Sequence, residues 1–152
     1  MNLTSLNRIC LVRTHPVYAR RERAIVKKIL VIDDDELIRE TVRLALAHAG
    51  FEVATLGDAE RAPSVAAETK PDLILLDLYM GETSGLDLCR RLKADEATRG
   101  IPVIVLSGSN EPVDVLAGID AGAVEYLKKP IDAETLVRTV RSALKLEDSE
   151  PR

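Results

Sequence analysis

Short apolar runs alternate along this chain with longer segments in which apolar residues recur at helical spacing. Polar, Gly or Pro residues bound the runs, a pattern typical of strands in a parallel sheet that is covered on both faces. The runs predict strands at residues 29–32, 51–56, 73–76, 103–106 and 123–127. Strands that alternate with helices require right-handed crossovers and helices on both faces of the sheet. The pattern therefore predicts a doubly wound α/β domain.

The segments between the strands carry recognisable helix boundaries. Asp35 and Asp132 are typical N-caps, and Pro63 is tolerated in the first turn of a helix. Gly50 and Gly122 follow helical segments and are typical C-terminal stops. In the first helix the apolar positions are Leu37, Val42, Leu44, Leu46 and Ala47.

Composition and charge restrict the function classes. Apolar residues make up 46% of the 152 residues, which is enough for a core, and no apolar run approaches the roughly 18 residues of a membrane span. The net charge is −4, yet residues 1–28 are strongly basic, so the remainder is acidic and a poor general binder of nucleic acid. Cys10 and Cys89 fit no metal spacing and are expected to be reduced thiols in a cytoplasmic protein.

The terminal segments fall outside the alternation. Residues 1–26 form a basic extension that lacks the apolar core of a secretory signal, and a flexible tail is the favoured interpretation. A start codon assigned too far upstream is likewise favoured over an organellar transit peptide. Residues 20–23 are basic enough to touch an anionic partner, although a solvated tail is the favoured interpretation of this run. We expect residues 147–152 to form a frayed C-terminal tail. The folded domain is expected over residues 27–146.

Polar residues stand where the predicted strands end. They are the carboxylates Asp33, Asp34, Asp35 and Asp77, the hydroxyl of Ser107 and the ammonium of Lys129. Because the carboxyl ends of parallel strands form the ligand-binding edge of such sheets, these groups are expected around one crevice. Each alone has an ordinary alternative, as a cap, a turn residue or a surface lysine. Their joint occurrence favours a site.

These residue types suit the transfer of a phosphoryl group to a carboxylate. Crowded carboxylates raise one another's pKa unless a cation intervenes, and oxygen ligands without His or Cys suit Mg²⁺, or alternatively Mn²⁺. With a metal bound, Asp77 would stay ionised and act as the nucleophile. The metal, Lys129 and Ser107 can each neutralise one phosphoryl oxygen.

Four blocks carry a resemblance to a known family. They are KKILVIDDDELI at residues 27–38, LILLDLYMGETSGLDL at 73–88, IPVIVLSGS at 101–109 and AVEYLKKPI at 123–131. Together they resemble the signature blocks of bacterial two-component response regulator receiver domains, over residues 27–146. The resemblance implies a flavodoxin-like fold with strand order 2-1-3-4-5 and a stand-alone, chemotaxis-regulator-like protein.

The resemblance also implies roles at the metal and phosphoryl sites. Asp77 would be the phosphoacceptor and a metal ligand, with Lys129 as the family lysine. Asp34 would bind Mg²⁺ directly, Asp33 mostly through water, and Tyr79 through its backbone carbonyl.

Further residues match the switch of the family. Ser107 matches the family hydroxyl and Tyr126 the switch aromatic, for which a static, half-buried ring is the alternative. Pro130 would follow a cis peptide bond, and Tyr79 and Ser109 occupy positions that influence autodephosphorylation. Tyr79 is expected to hinder the attacking water and lengthen the phosphoryl lifetime.

The sequence departs from the family at a few positions. Gly81 stands where the family usually has proline, so the loop is expected to be looser, and Ile131 replaces a common aromatic residue. Tyr79 occupies the position at which haloacid dehalogenase-like hydrolases need a second Asp, which argues against an enzyme of that class.

The leading interpretation is a response regulator without an output domain, phosphorylated by a histidine kinase or a phosphotransfer protein. Phosphorylation would change the surface of helix four, strand five and helix five for a downstream protein or a relay. Direct contact with nucleic acid or membrane is not expected, and a phosphorylation-dependent homodimer is left open. The alternative is a receiver-like interaction module that does not switch.

Overall fold

The computed structural model describes residues 25–109 and 111–146. Within these residues, five parallel strands form one sheet: β1 Lys28–Ile32, β2 Glu52–Leu56, β3 Leu73–Asp77, β4 Val103–Ser107 and β5 Glu125–Lys128. Their order is β2-β1-β3-β4-β5, which confirms the predicted doubly wound α/β fold. The predicted C-terminal tail, and the basic extension up to residue 24, lie outside the described residues.

The same two ranges contain the helices that cover the sheet: α1 Glu36–His48, α2 Ala62–Thr69, α3 Gly85–Ala94, α4 Pro112–Asp120 and α5 Ala133–Ala143. A 3₁₀ turn at Ala59–Arg61 precedes α2. The predicted caps are confirmed, because Asp35 accepts hydrogen bonds from the amides of α1 and Asp132 accepts one from the amide of Thr135. These caps satisfy amides that the helix itself leaves unpaired.

The central strands lie in the core. β3 and β4 are buried throughout, and β1 is buried from Ile29 to Ile32, as their continuous apolar runs predict. β2 and β5 are edge strands with exposed positions. One face of the sheet packs on α1 and α5, and the other packs on α2 and α3, where Cys89 is fully buried.

Some elements differ from the sequence-based expectation. Leu37 and Leu44 are 74% and 56% exposed, whereas Val42 and Leu46 bury the inner face of α1. At about 100° per residue, Leu37 and Leu44 lie on the side of the helix away from Leu46. The last strand begins at Glu125 rather than at residue 123, because the amide of Ala123 still bonds to the carbonyl of Gly118 in α4.

The loop after β3 is built as a small hairpin. Tyr79–Met80 pairs antiparallel with Thr83–Ser84, and Gly81 has φ +56° at the first position of the two-residue turn. A proline cannot adopt this φ, so glycine at the departure from the family is what permits the turn. The loop therefore contains a paired hairpin in this structure.

Candidate functional site

Two buried carboxylates and one lysine meet at the carboxyl ends of β1, β3 and β5. The Lys129 ammonium donates to Asp33 Oδ2 at 2.7 Å and lies 3.3 Å from Asp77 Oδ1. Asp33 and Asp77 are only 2% and 5% exposed. The three groups come from well-separated parts of the chain, so the parallel register of the sheet brings them together.

Asp34 completes an acidic cluster at the same edge. Carboxylate oxygens of Asp33, Asp34 and Asp77 all lie within 4.8 Å of one another. Asp34 is exposed, and its Oδ2 atom faces Gly81 of the hairpin turn. Carboxylate oxygens crowded this closely are the ligand set that a hard divalent cation such as Mg²⁺ prefers. The residues present therefore fit a magnesium site.

Two hydrogen-bond donors that the sequence-based reasoning missed fix the position of Asp33. Asp33 Oδ1 accepts from the amide of Asp35 at 2.9 Å, and its backbone carbonyl accepts from Arg39 Nη1 at 2.7 Å. The Arg39 guanidinium lies against Gly57, where a Cβ atom would come within 2.7 Å of it. Arg39 is a polar residue at one helix position, and only its contacts with Asp33 and Gly57 in the folded structure reveal this role.

The electrostatics of the cluster follow from burial and crowding. Burial, followed by the charge of Asp33, raises the pKa of Asp77 to about 6, although the nearby Lys129 ammonium acts in the opposite direction. Burial lowers the pKa of Lys129, but its hydrogen bond to Asp33 and the charges of both carboxylates outweigh that effect, so the net shift is upward. Lys129 therefore keeps its positive charge, and a second cation near Asp77 would favour the ionised form of its carboxyl group.

Ser107 ends β4 next to this cluster. It is fully buried, and its neighbour Leu106 is paired with Asp77 in the sheet. Its Oγ atom accepts from the amide of Ser109 at 3.2 Å. The structure thus places the predicted hydroxyl one residue beyond the strand pair that carries Asp77, and bonds it to the loop before α4.

Tyr126 reaches the same loop from β5. Its hydroxyl donates to the carbonyl of Ser109 at 2.6 Å, and its half-buried ring packs beside Gly118 of α4. The ring therefore connects β5 with the loop that Ser107 begins. The peptide bond between Lys129 and Pro130 is cis.

Tyr79 and Ser109 are joined by Asp114, which the sequence-based reasoning also missed. The Tyr79 hydroxyl donates to Asp114 Oδ1 at 3.1 Å, and the Ser109 hydroxyl donates to Asp114 Oδ2. The Tyr79 amide points the other way and donates to Asp77 Oδ1 at 3.4 Å. An acidic residue in the first turn of a helix is common, so the sequence carried no specific signal for this contact.

Comparison with known proteins identifies the family. The model of the family described as "Response regulator receiver domain" matches residues 29–141. The chain belongs to this family. Receiver domains are phosphoacceptors rather than classical enzymes, they work in two-component signalling with histidine kinases, and they generally bind Mg²⁺ at an acidic pocket.

Solved structures show the same receiver fold. A response regulator from Chloroflexus aurantiacus superposes with a TM-score of 0.76 at 30% identity, covering 80% of this chain and 99% of that one. The chemotaxis protein CheY4 of Vibrio cholerae gives a TM-score of 0.74 at 28% identity, covering 78% of this chain and 99% of that one.

Curated relatives are longer than this receiver domain. The DNA-binding response regulator MtrA of Mycobacterium tuberculosis is 39% identical over 125 residues, which are 82% of this chain and 54% of MtrA. The phosphate regulon regulatory protein PhoB of Pseudomonas aeruginosa is 40% identical over 119 residues, which are 78% of this chain and 52% of PhoB. The chain spans about half the length of these relatives.

No helix in residues 25–109 and 111–146 combines the length and the apolarity that crossing a bilayer requires.

Proposed function

We propose that Asp77 is the phosphoacceptor of this receiver domain and takes its phosphoryl group from a histidine kinase or a phosphotransfer protein. The observation that carries the proposal is a buried carboxylate at the end of β3 with an ammonium 3.3 Å away and two further carboxylates beside it. In the transfer, an Asp77 oxygen bonds to phosphorus while the bond from phosphorus to the donor histidine nitrogen breaks. The electron pair of that bond stays on the histidine.

The neighbouring residues divide the remaining work. Lys129 is held by Asp33 with its ammonium beside Asp77, where it can pair with a phosphoryl oxygen. Asp34, Asp77, the carbonyl of Tyr79 and, through water, Asp33 would hold Mg²⁺ or Mn²⁺. The bound cation would supply positive charge for the phosphoryl oxygens and would keep Asp77 ionised.

A route for switching leads from Ser107 to Tyr126. A phosphoryl group on Asp77 would offer strong acceptor oxygens to the Ser107 hydroxyl, which now contacts the amide of Ser109. Because the carbonyl of Ser109 holds the Tyr126 hydroxyl, a change at Ser107 would alter the setting of Tyr126. The receiver would then differ between its two states at α4, β5 and α5.

The output surface proposed here binds a protein. On α4 the side chains of Val113, Leu116 and Ile119 are 76%, 63% and 46% exposed, and Val124 before β5 is 51% exposed. Exposed apolar side chains gathered on one surface favour a protein partner, or a second copy of the chain, over nucleic acid. MtrA and PhoB are DNA-binding and transcriptional regulators, and no DNA contact is proposed for this domain. Action as a single domain stays a prediction.

Transfer of radiolabel tests the proposed function. Acetyl phosphate or a phosphorylated histidine kinase should label the protein in the presence of Mg²⁺, and chelation should abolish the label. Asp77→Ala should take up no label, whereas Asp87→Ala on the exposed face of α3 should label like the wild type. Equal labelling of Asp77→Ala and the wild type would refute the assignment. Labelling without any change in partner binding would favour the interaction module that does not switch.

A further inference from the structure

The entrance to Asp77 is flanked by the hairpin after β3 and by the loop after β4. Tyr79 belongs to the hairpin and Ser109 to the loop, and both hydroxyls donate to the carboxylate of Asp114 in the first turn of α4. We call these three side chains the Asp114 bridge. The bridge joins the segment that follows β3, which ends at Asp77, to the segment that follows the neighbouring strand β4.

Helix geometry alone does not account for these contacts. A carboxylate in the first turn of a helix is favoured by the helix dipole, and this would hold without any partner. Here each oxygen of Asp114 accepts from a hydroxyl of a different loop. Tyr79 is 59% exposed and would otherwise turn freely, so ordering its ring has an entropic cost that the hydrogen bond offsets.

The bridge is tied to the site at both ends. At one end, the Tyr79 amide donates to Asp77 Oδ1 at 3.4 Å. At the other end, Ser109 contacts Ser107 Oγ through its amide at 3.2 Å and Tyr126 through its carbonyl at 2.6 Å. Tyr79 is therefore held through its backbone amide at Asp77 and through its ring hydroxyl at Asp114.

We propose that Asp114 is a positioning residue that holds the Tyr79 ring across the entrance to Asp77 and so slows hydrolysis of the aspartyl phosphate. The inference rests on the proposed function of Asp77. In hydrolysis, a water oxygen bonds to phosphorus as the bond from phosphorus to the Asp77 oxygen breaks. The electron pair returns to the carboxylate, a water proton goes to solvent, and inorganic phosphate leaves. Attack in line with the breaking bond requires water on the open side of the phosphoryl group, the side that a ring held between Asp77 and Asp114 would shield.

The first measurement is the rate of phosphoryl loss from labelled protein after removal of the donor. Asp114→Ala should lose label about threefold to tenfold faster than the wild type, the range that the loss of one hydrogen bond allows. Tyr79→Phe, which keeps the ring and removes only the hydroxyl, should accelerate the loss similarly. The double variant should be no faster than the faster of the two single variants, because both changes break the contact between Tyr79 and Asp114.

Asp120→Ala is the matched control. Asp120 lies on the same helix, carries the same charge, is exposed and makes no side-chain hydrogen bond within the part of the chain that the structure describes. Its replacement should leave the rate of phosphoryl loss at the wild-type value.

Non-additivity separates a positioning role from a merely structural one. If Asp114 only stabilised α4, the effect of Asp114→Ala on phosphoryl loss would add to that of Tyr79→Phe instead of overlapping with it.

The possible failures are distinguishable. If the protein labels normally but Asp114→Ala and Tyr79→Phe keep the wild-type rate, or if their effects add, the inference is overturned and the proposed function stands. If neither the wild type nor any variant takes up label, both proposals fall. Should Asp114→Ala not fold, Tyr79→Phe decides the matter, since it removes one atom at an exposed position.

Discussion

At the scale of single residues, the site is governed by the cost of burying charge. Asp33 and Asp77 are nearly inaccessible to water, and the ammonium of Lys129 compensates them only in part. Burial and the charge of Asp33 raise the pKa of Asp77 to about 6, because Lys129 does not fully compensate these effects. A group of this kind is poised to accept a cation and, with it, a phosphoryl group.

The raised pKa predicts how stability depends on pH in metal-free protein. The pKa of Asp77 in the folded state, about 6, exceeds the ordinary value of 3.8, so folding favours the protonated form of Asp77. This contribution to stability is fully present below the ordinary pKa and is lost as the pH rises through about 6. Asp77→Asn should therefore be more stable than the wild type at neutral pH, and its advantage should shrink in acid.

Urea unfolding with a chelator, repeated over a pH series, measures this difference. Asp120→Asn, which removes the charge of an exposed carboxylate, is the control for the change in net charge. A stability difference between Asp77→Asn and the wild type that stays constant across the series would contradict the assigned pKa shift.

At the scale of elements, the site depends on how α3 meets β3. A Cβ atom on Gly85, the first residue of α3, would lie 2.2 Å from the carbonyl oxygen of Asp77 and 2.7 Å from Leu78 Cα. The start of α3 thus lies in close contact with the backbone of the candidate phosphoacceptor. Only a glycine lets the two elements approach this closely, so the packing of α3 sets the position of Asp77.

Gly85→Ala is therefore expected to destabilise the fold. The added methyl group meets backbone atoms, which cannot move aside, so the free energy of unfolding should fall by about 3 kcal/mol. Gly100→Ala is the matched control, because a Cβ atom there meets nothing within 4 Å, and its effect should stay within about 0.5 kcal/mol. Equal urea midpoints for the two variants would show that this contact does not limit the packing of α3.

At the scale of the whole molecule, the described strands and helices act as a frame that holds like charges together. Asp33 and Asp34 follow β1 and Asp77 ends β3, and only the folded sheet brings their oxygens within 4.8 Å. A divalent cation at this point would bind the folded chain and not the unfolded one. Cation binding and global stability are consequently linked.

This linkage predicts that Mg²⁺ raises the unfolding midpoint of the wild type. At a concentration of Mg²⁺ about 100 times its dissociation constant, the free energy of unfolding should rise by roughly 2.7 kcal/mol. Asp34→Asn should lose most of this gain while it folds normally without metal, because Asp34 is exposed. Thermal unfolding with and without Mg²⁺ checks both statements. A gain of equal size in Asp34→Asn would place the cation elsewhere.

Much of the fold was predictable because its signals are local. The apolar runs of β1, β3 and β4 mark strands buried on both faces, and Asp35 and Asp132 mark the starts of helices. The strand order came from the resemblance of the signature blocks rather than from periodicity. The exposure of Leu37 and Leu44 on α1 was predictable as well, since about 100° per residue places both away from the side of the helix that carries Val42 and Leu46.

The candidate site divides in the same way. The sequence by itself determined which groups stand at the strand ends, because a strand that stops at Asp77 or before Lys129 leaves that residue at the edge of the sheet. Only the tertiary structure decided that Asp114 joins Tyr79 to Ser109 and that Arg39 holds the carbonyl of Asp33. The hydrophobic pattern of a short segment marks where a strand ends, whereas a contact between separate elements depends on where the folded backbone places both partners.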